Sequence, residues 1–527
     1  MEKFKPYAFL FLAGILYALG YPSRISDSLI ITPMIAIGIL FYYLLKDQSF
    51  KERAIKLLCF NLSFNLVGFY WIADTLVEFG QLPYPLALFL NALFALIITP
   101  HYWVAIIVIQ FFQKQISKLQ EEHLGLFSLT LSIFLTLCEV LVPQQFNVFL
   151  GQPLVALNQY LGFAHIGGLP IYSFFSYLFV FESLNLIIKK DFSKFNYATI
   201  IIFIIINPFF TPDRNQENII ESRVRLVQAN ISNFLKIDSE KGSYASVGQV
   251  INQYFSMSLK KSSFPRALDL IIWPETAYPF AIKVDREKIR KTTLPTIVQE
   301  ITSETKAELF FGGYDTQRDL ANSSYYKTEH NTGFHVEDSG ELVATYNKRI
   351  LIPFGETLPF GPLNKFLSGL ISNISFFKEG EVFTEFKLQN GSRFISSICY
   401  ELLKPDFIRE YLNSISQRPH FMINLTNDSW YGKTMEPEQH LFLAKWRALE
   451  FNLPIVRSTN TGISSVIFAD GTESRRLGVY ERGNLDLKLS FGVNSPTLYQ
   501  RFGFAILFPL WFLYFIFHGL RIRLKNE

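Results

Sequence analysis

The chain has 527 residues, 49% of them hydrophobic and only 18% charged, with 54 phenylalanines and a mean hydropathy of +0.21. Soluble domains carry about 25% charged residues, so the composition argues against a wholly soluble protein. The net charge of +4, with no basic block, gives nucleic-acid binding no footing.

The apolar residues are segregated. Runs near 6–21, 29–45, 57–77, 86–112, 125–142, 168–188, 197–210 and 502–518 predict eight membrane spans, since roughly 17–25 apolar residues cross a bilayer. Pro100 is placed to kink the fourth. The first run lacks a small-residue cleavage site and reads as an anchor. Cationic residues orient the spans. Lys3 and Lys5 precede the first, Lys46 to Lys56 lie between the second and third, Lys114 and Lys118 follow the fourth, and Lys189, Lys190 and Lys194 follow the sixth. The alternate loops carry almost none. Both termini are therefore expected inside, with the large insert outside, in a bacterium the periplasmic side.

This predicts an N-terminal transmembrane domain (1–211, seven spans), a linker (212–221), an outer domain (222–496) and a last span with its tail (497–527). Glu139 and Glu182 fall inside spans, where carboxylates are functional candidates or helix–helix contacts. The uncharged 143–167 loop, with Gln144, Asn158 and His165, suits headgroup depth. No metal-ligand spacing stands out.

Past the linker the texture changes. Strands are predicted at Val224–Asn230, Leu268–Trp273, Ala307–Gly312, Gly333–Val336, Leu342–Asn347, Phe394–Ile398, Phe421–Leu425, Pro454–Ser458 and Ser464–Phe468. Helices are predicted at 244–260, 284–303, 401–415 and 437–452, and turns at Asp338-Ser-Gly340 and Asp470-Gly471. Alternating strands and helices imply an α/β domain.

Three stretches put ionisable residues at strand ends. Leu268-Asp-Leu-Ile-Ile-Trp-Pro-Glu275 breaks at a proline and exposes Glu275. Tyr346-Asn-Lys348 ends a hairpin strand, with Glu356 in the following Pro/Gly turn. Arg393-Phe-Ile-Ser-Ser-Ile-Cys399-Tyr400-Glu401 is a strand-to-helix elbow carrying the one cysteine of the outer domain. A helix beginning near Glu401 would favour a thiolate at Cys399. Singly, Glu275 and Lys348 read as solvated strand ends and Cys399 as an inert buried thiol. Together they supply what acyl transfer through sulfur needs: a nucleophile, a proton acceptor and a cation for the oxyanion.

Trp273-Pro-Glu275, Tyr346-Asn-Lys348 with Pro353-Phe-Gly-Glu356, and Cys399-Tyr-Glu401 resemble the Glu–Lys–Cys motifs of the nitrilase (carbon–nitrogen hydrolase) superfamily. With flanking spans the chain is similar to its apolipoprotein N-acyltransferase family. Val227-Gln-Ala-Asn-Ile231 with Lys236, Asn424-Leu-Thr-Asn-Asp-Ser-Trp430-Tyr-Gly432, Gln439-His440, Arg457-Ser-Thr-Asn-Thr-Gly462 and Tyr499-x-Arg501-x-Gly503 fit the same resemblance. Departures are Ile237 where the family often has Trp, no Arg soon after Glu139, and Met435-Glu-Pro-Glu438 before Gln-His.

The resemblance implies an αββα sandwich beside the membrane helices and an enzyme of the bacterial inner membrane, with Glu275, Lys348 and Cys399 catalytic. Glu356 and Glu401 would position Lys348 and an incoming amine, with a backbone N–H near Tyr400 at the oxyanion. Asn322, Phe360, Phe366 and Trp430 would touch substrate. It implies a phospholipid acyl donor, a diacylated apolipoprotein acceptor, no metal or soluble cofactor, no nucleic acid and a monomer. Ile350–Phe377, apolar yet between two catalytic residues, reads as a packed loop or as a mobile arm at the lipid surface. A membrane-tethered amidase acting on a small C–N substrate is the alternative.

Overall fold

The computed structural model describes residues 4–23, 27–47, 49–78, 80–212, 217–316, 329–353, 355–358, 361–364 and 377–526. It divides into two compact units, residues 1–212 with 449–451 and 497–527, and residues 213–448 with 452–496.

The first unit is helical. Three described helices, Leu124–Leu141, Ala164–Lys189 and Leu498–Leu520, are long and apolar enough to cross a membrane. Counting Phe50–Gly68 and Trp71–Glu78, bent by 63°, as one span adds a fourth. The other apolar helices, Lys5–Ala18, Thr32–Lys46, Tyr84–Phe94, Pro100–Phe111 and Lys194–Phe209, are shorter. The eight runs of the sequence thus become three or four full-length spans and a set of short apolar helices. The fourth run shows why. Pro100 opens a new helix and does not kink a continuous one, because a proline has no N–H to donate and suits a first turn. Large apolar side chains such as Phe111, Ile204 and Phe512 face outward.

The polar side chains of this unit are turned inward and shared between segments. Glu139 accepts hydrogen bonds from the Leu150 amide (2.8 Å) and the Tyr177 hydroxyl (2.7 Å), which in turn meets the Tyr102 hydroxyl (3.0 Å). Glu182 accepts from the Ser193 amide (2.8 Å) and the Asn196 side chain (2.7 Å). Buried polar groups need such partners. Here they fix the loops after each helix.

The second unit is an α/β sandwich. One sheet has the order β12-β1-β2-β4-β5-β6, with β3 beside β4. Its strands are β1 (Glu217–Gln228), β2 (Leu270–Ile272), β3 (Ala281–Ile282), β4 (Glu308–Thr316), β5 (Glu329–Val336), β6 (Leu342–Asn347) and β12 (Gly483–Val493). The other has the order β11-β10-β9-β8-β7, from β7 (Phe386–Lys387), β8 (Arg393–Ile398), β9 (Phe421–Thr426), β10 (Ile455–Thr459) and β11 (Ser465–Ile467). The sheets meet through aromatic rings: Phe310 of β4 lies 5.2 Å, centroid to centroid, from both Phe386 of β7 and Phe394 of β8. Helices Tyr244–Ser258 and Thr296–Thr305 cover the outer face of the first sheet, burying Tyr254, Met257, Val298 and Ile301 against Trp273, Leu309 and Phe311.

Most predicted strands agree within a few residues. The predicted helix 284–303 does not: only a short 3-10 turn, Ile289–Lys291, precedes Thr296–Thr305. Pro295 explains this, since the residue before a proline is biased away from helical geometry. Strand β12 was unforeseen. Both predicted turns are present, with Gly340 and Gly471 at positive φ.

Candidate active site

Parallel strands β1, β2 and β4 and, in the second sheet, β8, β9 and β10 bring several strand ends to one edge. Glu275 lies in the turn after β2, Lys348 directly follows β6, and Cys399 directly follows β8. The second sheet supplies a fourth end, at Asn427 after β9.

Lys348 is fully buried, and its ammonium bridges two carboxylates, Glu275 Oε1 at 3.3 Å and Glu356 at 2.8 Å. The Asn331 side chain, on β5, donates to the same two carboxylates, at 2.7 Å to Glu275 and 3.2 Å to Glu356. The second oxygen of Glu275 accepts the Asn427 amide at 2.8 Å, and that of Glu356 accepts the Ile352 amide at 2.9 Å. Despite burial, which alone would lower it, the ammonium of Lys348 is held charged by Glu275 and Glu356.

Cys399 is 3% exposed and takes a left-handed backbone, φ +51°. Burial and the charge of Glu275 push its thiol well above the ordinary cysteine range, and Lys348 only partly offsets them. This corrects the expectation of a thiolate favoured by a helix end. Cys399 opens a five-residue 3-10 turn, Cys399–Leu403, and the α-helix starts only at Pro405. One short turn has little dipole to offer, so burial wins. Burial thus favours the thiol over the thiolate at Cys399.

Glu401 is placed differently from Glu356. It makes no hydrogen bond with Lys348; it ties two strand ends together. Its carboxylate accepts the Ile398 amide (2.8 Å) at the end of β8 and the Arg349 (2.6 Å) and Ile350 (3.0 Å) amides after β6, with the Tyr346 hydroxyl at 2.9 Å. Burial raises it to about 7 against these bonds. Tyr400 is buried beside it, with the Lys404 ammonium 4.7 Å from its ring. Burial lowers Lys404 to about 8.

Trp430 sits in the turn after β9, its ring 5.6 Å from the Lys236 ammonium. Asn322, Phe360 and Phe366, and much of Ile350–Phe377, lie outside the described residues.

Three partners were not foreseen as site residues: Asn331, the Asn427 amide and the Asp428–Arg457–His440 group. An asparagine inside a strand is disfavoured, and that was the available signal for Asn331. Asp428, Glu436 and His440 each place one ligand atom within 4.8 Å of the others. Arg457 already occupies that position as a cation, 2.9 Å from Asp428 and 3.1 Å from His440 Nδ1. The group reads as an internally neutralised support under the β9 turn.

Residues 223–488 match the family described as "Carbon-nitrogen hydrolase", and residues 13–181 match "Apolipoprotein N-acyltransferase N-terminal domain". An apolipoprotein N-acyltransferase of Bdellovibrio bacteriovorus is 28% identical over 455 residues, covering 83% of this chain and 80% of that one. Those of Rhodopseudomonas palustris (31% identity, 53% of this chain, 50% of that one) and Haemophilus ducreyi (29%, 58% and 56%) align over about half their length. Among solved structures, an amidase of the nitrilase superfamily from Nesterenkonia aligns at 17% identity and a TM-score of 0.35, covering 55% of this chain and 97% of its own.

Proposed function

The chain belongs to the carbon–nitrogen hydrolase family, and from that premise we propose that it is a membrane-anchored N-acyltransferase. It moves an acyl chain from a phospholipid, through a thioester on Cys399, to the N-terminal amine of the diacylglyceryl cysteine of apolipoproteins. The observation that carries this reading is the buried set Glu275–Lys348–Cys399 in a chain whose residues 13–181 match the acyltransferase N-terminal domain.

Cys399 Sγ attacks the ester carbonyl while Glu275 takes the thiol proton. Negative charge develops on the former carbonyl oxygen. An ammonium has three N–H donors, and two of those of Lys348 face carboxylates, which leaves one for that oxygen. Collapse breaks the ester C–O bond, and Glu275 returns its proton to the leaving lysophospholipid oxygen. In the second half the acceptor amine, having lost its ammonium proton to water, attacks the thioester. Glu275 takes one N–H proton and delivers it to the departing sulfur, restoring the thiol. General acid–base transfer of this kind contributes about 10²–10⁴-fold. Glu356 holds Lys348, Glu401 holds the elbow to the β6 end, and no step needs a second chain.

The membrane arrangement proposed with it has eight crossings, short ones included, with both termini cytoplasmic and the catalytic unit periplasmic. The alternation of cationic loops supports it. Acyl chains as insoluble as both substrates call for such an anchor.

The test is transfer against hydrolysis. The purified protein is mixed with phospholipid vesicles and a diacylated lipopeptide bearing a free N-terminus. An N-acylated lipopeptide together with lysophospholipid is the expected product. Free fatty acid released at the same rate with or without the lipopeptide would instead make the chain a hydrolase.

A further inference from the structure

The turn that carries Glu275 is strained at the next residue. Thr276 has φ +48°, a conformation β-branched side chains rarely adopt, and such positions persist only where the surroundings enforce them. Two features enforce this one. On the inner side, Gly312 of β4 packs against the turn so closely that a Cβ there would lie 2.4 Å from the Pro274 carbonyl and 2.6 Å from Glu275 Cα. The Gly312 amide bonds to the Pro274 carbonyl (3.2 Å), and the Tyr278 amide to the Gly312 carbonyl (3.0 Å). On the other side stands Lys236, from helix Asn233–Glu240, whose ammonium donates to the Thr276 hydroxyl.

Lys236 is 7% exposed, an unusual place for a lysine. Its carboxylate partner is Glu240, at 3.9 Å and partly solvated, and Trp430 presents its ring face at 5.6 Å. Together with Glu275 and Thr276 it lines a small cavity with room for about one water, about 10 Å³. The charge is therefore poorly matched locally, and the catalytic carboxylate is close enough to feel it.

We propose that Lys236 and Thr276 form a positioning latch for Glu275. The Lys236–Thr276 hydrogen bond holds the left-handed turn that aims the carboxylate at Cys399 and Lys348. Neither residue touches substrate. The inference rests on the proposed role of Glu275 as proton acceptor, but not on the identity of the acyl donor.

Around Glu275 the other ionisable groups are Lys348 and Glu356 after β6, Cys399 after β8, Tyr431 after β9, His440 on helix Glu436–Phe451 and Tyr314 on β4. All stay in place in the variants Lys236→Met, Thr276→Val and Thr276→Ser, so a change in pH profile reports the latch. Two readouts on the detergent-solubilised full chain are compared: acylation of Cys399 by phospholipid, and alkylation of Cys399 by iodoacetamide, which needs no natural substrate. Peptide mass separates Cys399 from Cys59 and Cys138.

Lys236→Met is expected to slow acylation about tenfold or more at pH 7 and to move its pH profile to higher pH, because Cys399 loses a nearby cation. The alkylation profile moves in the same direction, for the same reason. Thr276→Val, equal in size but without the hydroxyl, is expected to slow acylation about tenfold, and Thr276→Ser restores it. Unchanged pH profiles in Lys236→Met, or a Thr276→Val protein as active as Thr276→Ser, overturn the latch. So does a loss of thermal stability with no change in either profile. If wild-type protein shows no acylation but the alkylation profile still shifts, the latch stands and the acyl-donor reading falls.

Discussion

Two buried glutamates, one in each unit, are satisfied in opposite ways. Glu139, among the helices, has neutral donors, the Leu150 amide and the Tyr177 hydroxyl. Glu275, in the α/β unit, has the Asn331 and Asn427 N–H groups and also the Lys348 ammonium. A carboxylate held by neutral dipoles alone pins a loop. One that shares a cation with a neighbouring thiol can accept and return a proton while the charge of the site is compensated throughout. Burial alone does not distinguish them; the company of a cation does. Glu401 sharpens the rule, since it lies two residues from Cys399 yet is bonded like Glu139, to backbone amides and a tyrosine.

The comparison can be broken at four points. Glu275→Gln keeps the shape and removes the proposed proton acceptor, so single-turnover acylation of Cys399 should fall by about 10³-fold with little loss of stability. A residual rate within tenfold of wild type would put the base elsewhere. Lys348→Met should cost about 10²–10³-fold in rate. It should also destabilise the α/β unit by about 3–5 kcal/mol, visible in thermal unfolding, because two carboxylates then face each other without a cation.

Glu401→Gln should cost only about tenfold, through misplacement of the elbow. Its sharper signature is pH. Burial raises the folded-state carboxyl from 4.5 to about 7. The native state therefore holds a proton that the unfolded chain releases, and this contribution is complete below pH 4.5 and lost as pH rises through 7. It amounts to about 3 kcal/mol, so the wild-type unfolding temperature should fall between pH 5 and 8 more steeply than that of Glu401→Gln. Parallel curves would show that Glu401 does not titrate in that range. The smallest effect belongs to Glu139→Gln. An amide oxygen can still accept from Leu150 and Tyr177, so acylation should stay within about twofold and stability within about 1 kcal/mol. A large loss of acylation without a loss of folding would place Glu139 in the reaction.

Much of the α/β unit was legible because its signals are local. The strands that end at Glu275, Lys348 and Cys399 are short apolar runs, each broken by a proline, an Asn-Lys pair or the elbow. Strand β12 was legible too: Leu485, Leu487, Leu489 and Phe491 alternate with polar residues, a period of two that the strand prediction passed over. Contacts across the sheets could not be read. Asn331 reaches Glu275 from a strand 56 residues away, and the Asn427 amide from one 152 residues away. Nor did sequence reveal that the elbow helix is a single 3-10 turn, too short to offset the burial that raises the thiol. In the helical unit hydropathy located the apolar runs but not their breaks: Pro100 and the Phe69–Tyr70 junction divide runs that composition alone joins.

The central claim is that Cys399 carries the acyl chain. Purified protein is incubated with phospholipid of defined acyl composition in the absence of acceptor, digested and examined by mass spectrometry. The account predicts that acyl mass on the Cys399 peptide, released by hydroxylamine, absent from Cys399→Ala and strongly reduced in Glu275→Gln. An unmodified Cys399 peptide from protein that still N-acylates a diacylated lipopeptide would contradict it.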